Sequence, residues 1–224
     1  MNRRSVLTLF GLSGGAWLTG RAFAQSPPGC VVRPQQTEGP YFVDERLNRA
    51  DIRSDPATGA VKPGAPLEIV FRVSDLSGGR CVPLGGAMVD IWHCDAQGAY
   101  SDVRDPGSDT RGQRFLRGYQ LTDAAGLARF TTIYPGWYEG RAVHIHFKIR
   151  TAPAAGRGRE FTSQLYFDDV LTEQVHAQAP YLRRGRRVPN DNDGLFRRGG
   201  RDLILGVTKS DPGYAGSFDI ALAD

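Results

Sequence analysis

The run Val143-His144-Ile145-His146-Phe147-Lys148-Ile149 constrains this chain more than any other feature. Apolar residues take every odd position and polar residues every even one. That alternation specifies a strand with one face in a core, and four apolar side chains pin its register. Further runs follow the same logic: Leu67 to Val73, Ala87 to His93, Leu116 to Leu121, Leu127 to Tyr134, Phe161 to Phe167, Leu203 to Val207 and Phe218 to Leu222. Turn residues lie between them, with Asp123-Ala124-Ala125-Gly126 a hairpin-like example. Gly occurs 28 times and Pro 14 times in 224 residues, which favours turns and strands over helices. The one candidate helix is Leu171 to Arg184, stopped near Pro180. About eight short strands predict an all-β chain, an antiparallel β-sandwich with long loops and at most one or two short helices. Residues 25–66 read as an extended N-terminal loop segment and 67–224 as the sandwich.

Residues 1–24 have a different character. Arg3-Arg4 precede an apolar stretch from Val6 to about Leu18, and Ala22-Phe23-Ala24 forms an A-x-A site before Gln25. These are the parts of a twin-arginine-type export signal, which implies a periplasmic or secreted protein. The stretch is shorter than the roughly 20 residues a bilayer span needs, so no stable membrane span is expected after signal removal. The chain carries 28 Lys+Arg and 24 Asp+Glu; without the three Arg of this segment, 25 basic residues face 24 acidic ones. That balance excludes a strong nucleic-acid footprint. Cys30, Cys81 and Cys94 allow one disulfide or none in an oxidising compartment, and their spacing matches no zinc motif. Arg183-Arg184-Gly185-Arg186-Arg187 and Arg197-Arg198 read as solvated loop charges, or as attraction for an anionic substrate.

His144 and His146, half of the four histidines, project from the same face of their strand with Cα atoms roughly 6.5–7 Å apart. They can converge on one ion, or simply form the wet face of a strand. Two Tyr stand out by context. Tyr138 ends Tyr134-Pro135-Gly136-Trp137-Tyr138, which feeds the His-x-His strand, and Tyr100 ends Ala96-Gln97-Gly98-Ala99-Tyr100. Either can also be a Tyr packed beside a turn. Phenol titrates near pH ~10, so only a strong Lewis acid ionises it at neutral pH. Two imidazoles and two phenolates point to Fe(III), not to zinc and not to the two-His, one-carboxylate Fe(II) site. His93 reads as a hydrogen-bonded structural histidine and His176 as exposed. Trp137 either walls a pocket or fills space.

Asp90-Ile91-Trp92-His93-Cys94-Asp95-Ala96-x-Gly98-x-Tyr100-Ser101, Pro135-Gly136-Trp137-Tyr138 and Gly140-Arg141-x-x-His144-Ile145-His146-Phe147 together resemble the intradiol ring-cleavage dioxygenases. The likeness is to secreted single-domain members and to protocatechuate 3,4-dioxygenase subunits, from about Thr37 to the C-terminus. It implies a β-sandwich and a non-haem Fe(III) cofactor held by Tyr100, Tyr138, His144 and His146. It further implies Arg141, Gln164 and Tyr138 as catalytic residues, with Gln164 lying in Thr162-Ser163-Gln164-Leu165-Tyr166-Phe167. Thr37-Glu38-Gly39-Pro40-Tyr41-Phe42 resembles the family's pocket-lining segment. The implied reaction is cleavage of a catechol ring with O2 to a muconate-type dicarboxylate. The implied partners are a small aromatic diol and O2, with homo-oligomer formation left open. The sequence departs from relatives in the short Tyr138 to His144 loop, in Ala142 where Pro is common, and in lacking the N-terminal helical region of catechol 1,2-dioxygenases. Two other readings compete: a non-catalytic ligand-binding β-sandwich of the same fold, and a zinc-dependent hydrolase with Glu139 as its only local carboxylate.

Overall fold

The computed structural model describes residues 30–105, 108–152, 158–181 and 185–223. The proposed export signal, residues 25–29 and the Arg183-Arg184 pair lie outside them. The strands are β1 (Pro66–Ser77), β2 (Arg80–Pro83), β3 (Met88–Trp92), β4 (Arg104–Asp105), β5 (Ser108–Asp109), β6 (Arg117–Leu121), β7 (Leu127–Ile133), β8 (His144–Arg150) and β9 (Glu160–Tyr166). One helix follows, α1 (Asp169–His176), then β10 (Gly206–Lys209) and β11 (Tyr214–Ala223). Among the described residues no helix is long and apolar enough to cross a membrane.

Two sheets make the expected β-sandwich. One runs β10-β11-β1-β2, with β7 also on β1; the other runs β6-β3-β8-β9. Leu67, Ile69, Phe71 and Val73 of β1 face Ile145, Phe147 and Ile149 of β8 across the core, and all seven are buried. Phe147 sits 5.3 Å from Phe71 and 5.6 Å from Phe218, ring centre to ring centre. Truncating such a residue to Ala costs about 3–5 kcal/mol.

The strands expected from alternation appear where their core-facing residues are continuous. One pair departs from the antiparallel pattern: β1 and β11 run parallel, from Leu67↔Tyr214 to Leu76↔Ala223. No hairpin joins these two, so nothing local imposes an antiparallel arrangement. The run Leu203 to Val207 is not one strand. Gly200–Leu203 is a 3₁₀ turn, Leu203 and Leu205 are buried anchors, and β10 begins only at Gly206. The helix is shorter and earlier than expected, because Asp168 caps it by accepting from Leu171 N (2.9 Å). Cys30 pairs with Cys81, leaving Cys94 buried outside the disulfide.

The even face of β8 is not wet. His144, His146 and Lys148 are all buried, like the odd face. Residues 37–42 and the loops carrying Tyr100 and Tyr138 pack over it.

Candidate metal centre

β8 sets the site. Ladders on both sides, to β3 and β9, hold it, with Trp92↔His146 and His146↔Gln164 as direct neighbours. Its pleat brings His144 Nε2 and His146 Nε2 to 3.0 Å. Tyr138 Oη lies 3.3 Å and Tyr100 Oη 3.4 Å from His144 Nε2. Ligand atoms bound about 2.1 Å from one ion lie roughly 3.0–3.4 Å apart, so these separations are those of a single coordination shell. The four residues named from sequence therefore converge, from three separate stretches of backbone.

The electrostatics disfavour charged imidazoles at the centre. Burial, reinforced by Arg141, drives His144 down to about 3, and burial with the neighbouring His144 takes His146 well below its usual value. Both imidazoles are thus neutral at pH 7. His144 Nδ1 donates to Ala142 O (2.6 Å), which leaves the Nε2 lone pair facing inward. The two Nε2 atoms, 3.0 Å apart, need a shared proton or a bound cation between them. His146 Nδ1 is buried without a hydrogen bond, and stacking on Trp92 (5.1 Å, 8°) orients its ring. Burial raises Tyr100 well above the ordinary phenol range and Tyr138 to about 12, so each needs a strong cation to ionise. Among the described residues no group of three or more His, Cys, Asp or Glu forms a competing metal cluster.

Arg141 is aimed at the same point. Its Nη1 lies 3.4 Å from Tyr138 Oη and 3.5 Å from His144 Nε2, while Nη2 donates to Gln164 Oε1 (2.5 Å). Gln164, fully buried, donates in turn to Thr37 O (3.1 Å). Asp193, absent from the residues singled out by sequence, holds this arrangement. Its Oδ2 accepts from Arg141 Nε (2.9 Å) and Ala142 N (2.8 Å), and its Oδ1 from Leu195 N (2.7 Å) and Phe196 N (3.2 Å). A lone Asp some 50 residues downstream gives no sequence signal for this role. Tyr166, two residues after Gln164, donates its hydroxyl to Gln36 Oε1 (2.8 Å) and lies 3.2 Å from Gln164 Oε1.

Residues set aside from the centre also have places. His93 is structural, with Nδ1 2.8 Å from Cys94 O and Nε2 2.7 Å from Thr132 Oγ1. His176 is not exposed as expected. It is half-buried, stacks on Tyr181 (4.9 Å, 11°), and its Nε2 bonds Pro135 O (3.0 Å). Trp137 is buried under Gly185 and lines an open cavity with Arg186 and Arg187. Glu139 is exposed.

A sandwich carrying two imidazoles, two phenols and an Arg-Gln pair at one point defines a class. The family model described as "Dioxygenase" matches residues 37–187, and the chain belongs to the intradiol ring-cleavage dioxygenases. Particular relatives place it further. It is 34% identical over 164 residues to the protocatechuate 3,4-dioxygenase beta chain of Burkholderia cepacia, covering 66% of each chain. It is 27% identical over 240 residues to the 6-chlorohydroxyquinol 1,2-dioxygenase of Cupriavidus pinatubonensis, covering 98% of this chain and 74% of that one. A solved intradiol ring-cleavage dioxygenase from Tetranychus urticae superposes with a TM-score of 0.72 at 31% identity, covering 87% of this chain and 94% of that one. The dioxygenase domain of a carbohydrate-binding fusion from Streptomyces sp. SirexAA-E gives 0.63 at 32% identity, covering 86% and 99%. The chain spans 66% of the Burkholderia protein and 54% of a Rhodococcus opacus chlorocatechol 1,2-dioxygenase.

Proposed function

We propose that this chain is a non-haem Fe(III) dioxygenase that cleaves a catechol between its two hydroxyl-bearing carbons. One C–C bond breaks, both atoms of O2 enter the product, and a muconate-type dicarboxylate results; the diol is oxidised and O2 reduced. The observation that carries this reading is the 3.0–3.4 Å convergence of two neutral imidazoles and two phenols. A hard trivalent cation matches that donor set, and Tyr100, Tyr138, His144 and His146 would hold it. When bound, Fe(III) would draw electron density from a chelated diol and ready the ring for O2.

The protein's own contributions follow from burial and charge. Tyr100, 2% exposed and stacked under Tyr41, is the fixed phenol. Tyr138 is partly open and beside Arg141, so its Oη is the group placed to take a substrate proton. Arg141 presents a fixed cation where negative charge develops on the ring, and Gln164 holds the far arm of its guanidinium. Zinc hydrolysis is less well supported, because Asp193 is committed to Arg141 and Ala142 and Glu139 is exposed. We also propose that the protein works after export. The Arg3-Arg4 segment and the Cys30–Cys81 disulfide support that reading.

The test is spectroscopic and chemical. Iron-loaded protein should show a visible tyrosinate-to-Fe(III) band that Tyr138→Phe weakens and His146→Ala abolishes. Oxygen uptake over a panel of catechols should match dicarboxylate formed, one for one. Colourless iron-loaded protein, or uptake without ring-opened product, refutes the proposal.

A further inference from the structure

Lys148 is the third polar residue on the face of β8 that carries His144 and His146, and it is 6% exposed. A buried ammonium is costly unless it is paired. Lys148 Nζ pairs with Glu160 Oε1 (2.8 Å) on the adjacent strand and with Glu38 on the covering segment, and lies 4.4 Å over the Phe42 ring. The two carboxylates differ in what they connect. Glu160 is part of the same sheet, so its pair stays within β8 and β9. Glu38 and Phe42 belong to residues 37–42, so those contacts tie the sheet to that segment.

This segment touches Gln164, His146, Tyr100 and Tyr138. Thr37 O receives the Gln164 amide (3.1 Å). A Cβ on Gly39, at φ +72°, would lie 3.2 Å from His146 Cε1. Tyr41 stacks on Tyr100 (4.3 Å, 20°) and meets Tyr138 edge-on (5.9 Å). Phe42 packs on Trp92 (4.9 Å), the ring that orients His146. We propose that Lys148 is a positioning residue, whose ion pair with Glu38 seats residues 37–42 on the metal centre and so shapes the space open to substrate. The inference rests on the dioxygenase reading for its effect on substrate, but the lock itself does not.

Two measurements separate those parts. The first is hydrogen exchange across residues 37–42 in the iron-loaded full chain. Loss of one partly buried ion pair should speed it roughly fivefold in Lys148→Met and in Glu38→Gln. The second is steady-state kinetics with the member of the catechol panel that the wild type turns over fastest. The same two variants should raise KM by a similar factor, with kcat within about twofold, since the pair lies outside the reacting atoms. Lys148→Arg should restore exchange and KM, and Glu160→Gln, which removes the pair within the sheet, should leave both near wild type. Glu38 is partly exposed, so Glu38→Gln keeps the test valid even where Lys148→Met folds poorly. Unchanged exchange in Glu38→Gln, or an equal effect from Glu160→Gln, overturns the proposal. Faster exchange in a protein that turns over no member of the catechol panel leaves the lock standing and counts against the dioxygenase reading instead.

Discussion

Replacing Asp193 with Asn is the most searching perturbation of the centre, because it changes charge with little change in shape. Asp193 is 1% exposed, and both of its oxygens already accept two hydrogen bonds. An amide can keep Oδ1 against Leu195 N and Phe196 N, but its NH2 then faces two donors, Arg141 Nε and Ala142 N. The substitution therefore unpairs a mostly buried Arg and orphans a buried backbone N–H. Breaking a buried ion pair from one side costs about 3–5 kcal/mol. With a urea slope of about 2–3 kcal/mol/M, the unfolding midpoint should fall by roughly 1–2.5 M with the slope unchanged. Because Arg141 loses its anchor, kcat should drop by about 100-fold, the scale for losing a preorganised charge stabiliser. The pH dependence supplies a sign. Burial pushes the Asp193 carboxyl up, but the bonds from Ala142 N and Arg141 outweigh it and hold the group below its usual range. Its stabilisation is thus complete above the unfolded carboxylate pKa near ~4 and fades as pH falls below it. The stability gap between wild type and Asp193→Asn should narrow below about pH 4. A variant with an unchanged midpoint and unchanged kcat at pH 7 would refute the claim that this carboxylate holds Arg141.

Other outcomes can be checked independently. Gly39→Ala forces a side chain into a left-handed backbone and against His146; it should cost about 1 kcal/mol or more by chemical denaturation and shift the visible band of the iron form. Removing the Cys30–Cys81 bridge by paired Cys→Ser substitution frees a loop of 51 residues, which loop entropy values at about 4 kcal/mol; a melting temperature insensitive to it would contradict that figure. Stripping iron with a chelator should lower the melting temperature, and restored Fe(III) should raise it again, since a ligand that binds only the folded state stabilises it by mass action.

Alternation made the sandwich legible because each core strand carries its own code: Phe71, Phe147 and Phe218 meet across the core as their patterns require. The four converging residues stood out in the sequence for a different reason. Both His lie in one strand, while the two Tyr emerged only from the company of neighbouring motifs, since geometry alone separates Tyr100 from the other seven Tyr. What escaped was long-range or local in unreadable ways. Asp193 reaches Arg141 across 52 positions. The parallel β1–β11 pair has no turn to announce it. β2 is only four residues and mostly exposed, although Gly78 and Gly79, both at positive φ, mark the tight turn that makes it. His176 looked solvent-bound in its polar surroundings, yet Tyr181 and Pro135 claim its ring.

The strand bearing both imidazoles is hemmed in above and below, so it has nowhere to go. Evolution can therefore retune what this protein consumes only by editing its upholstery, the short stretches laid over an immovable frame. Divergent homologues would then keep the frame and differ in the cushions, and grafting residues 37–42 from one to another should transfer appetite, with whatever change of tint the residue beside His146 brings.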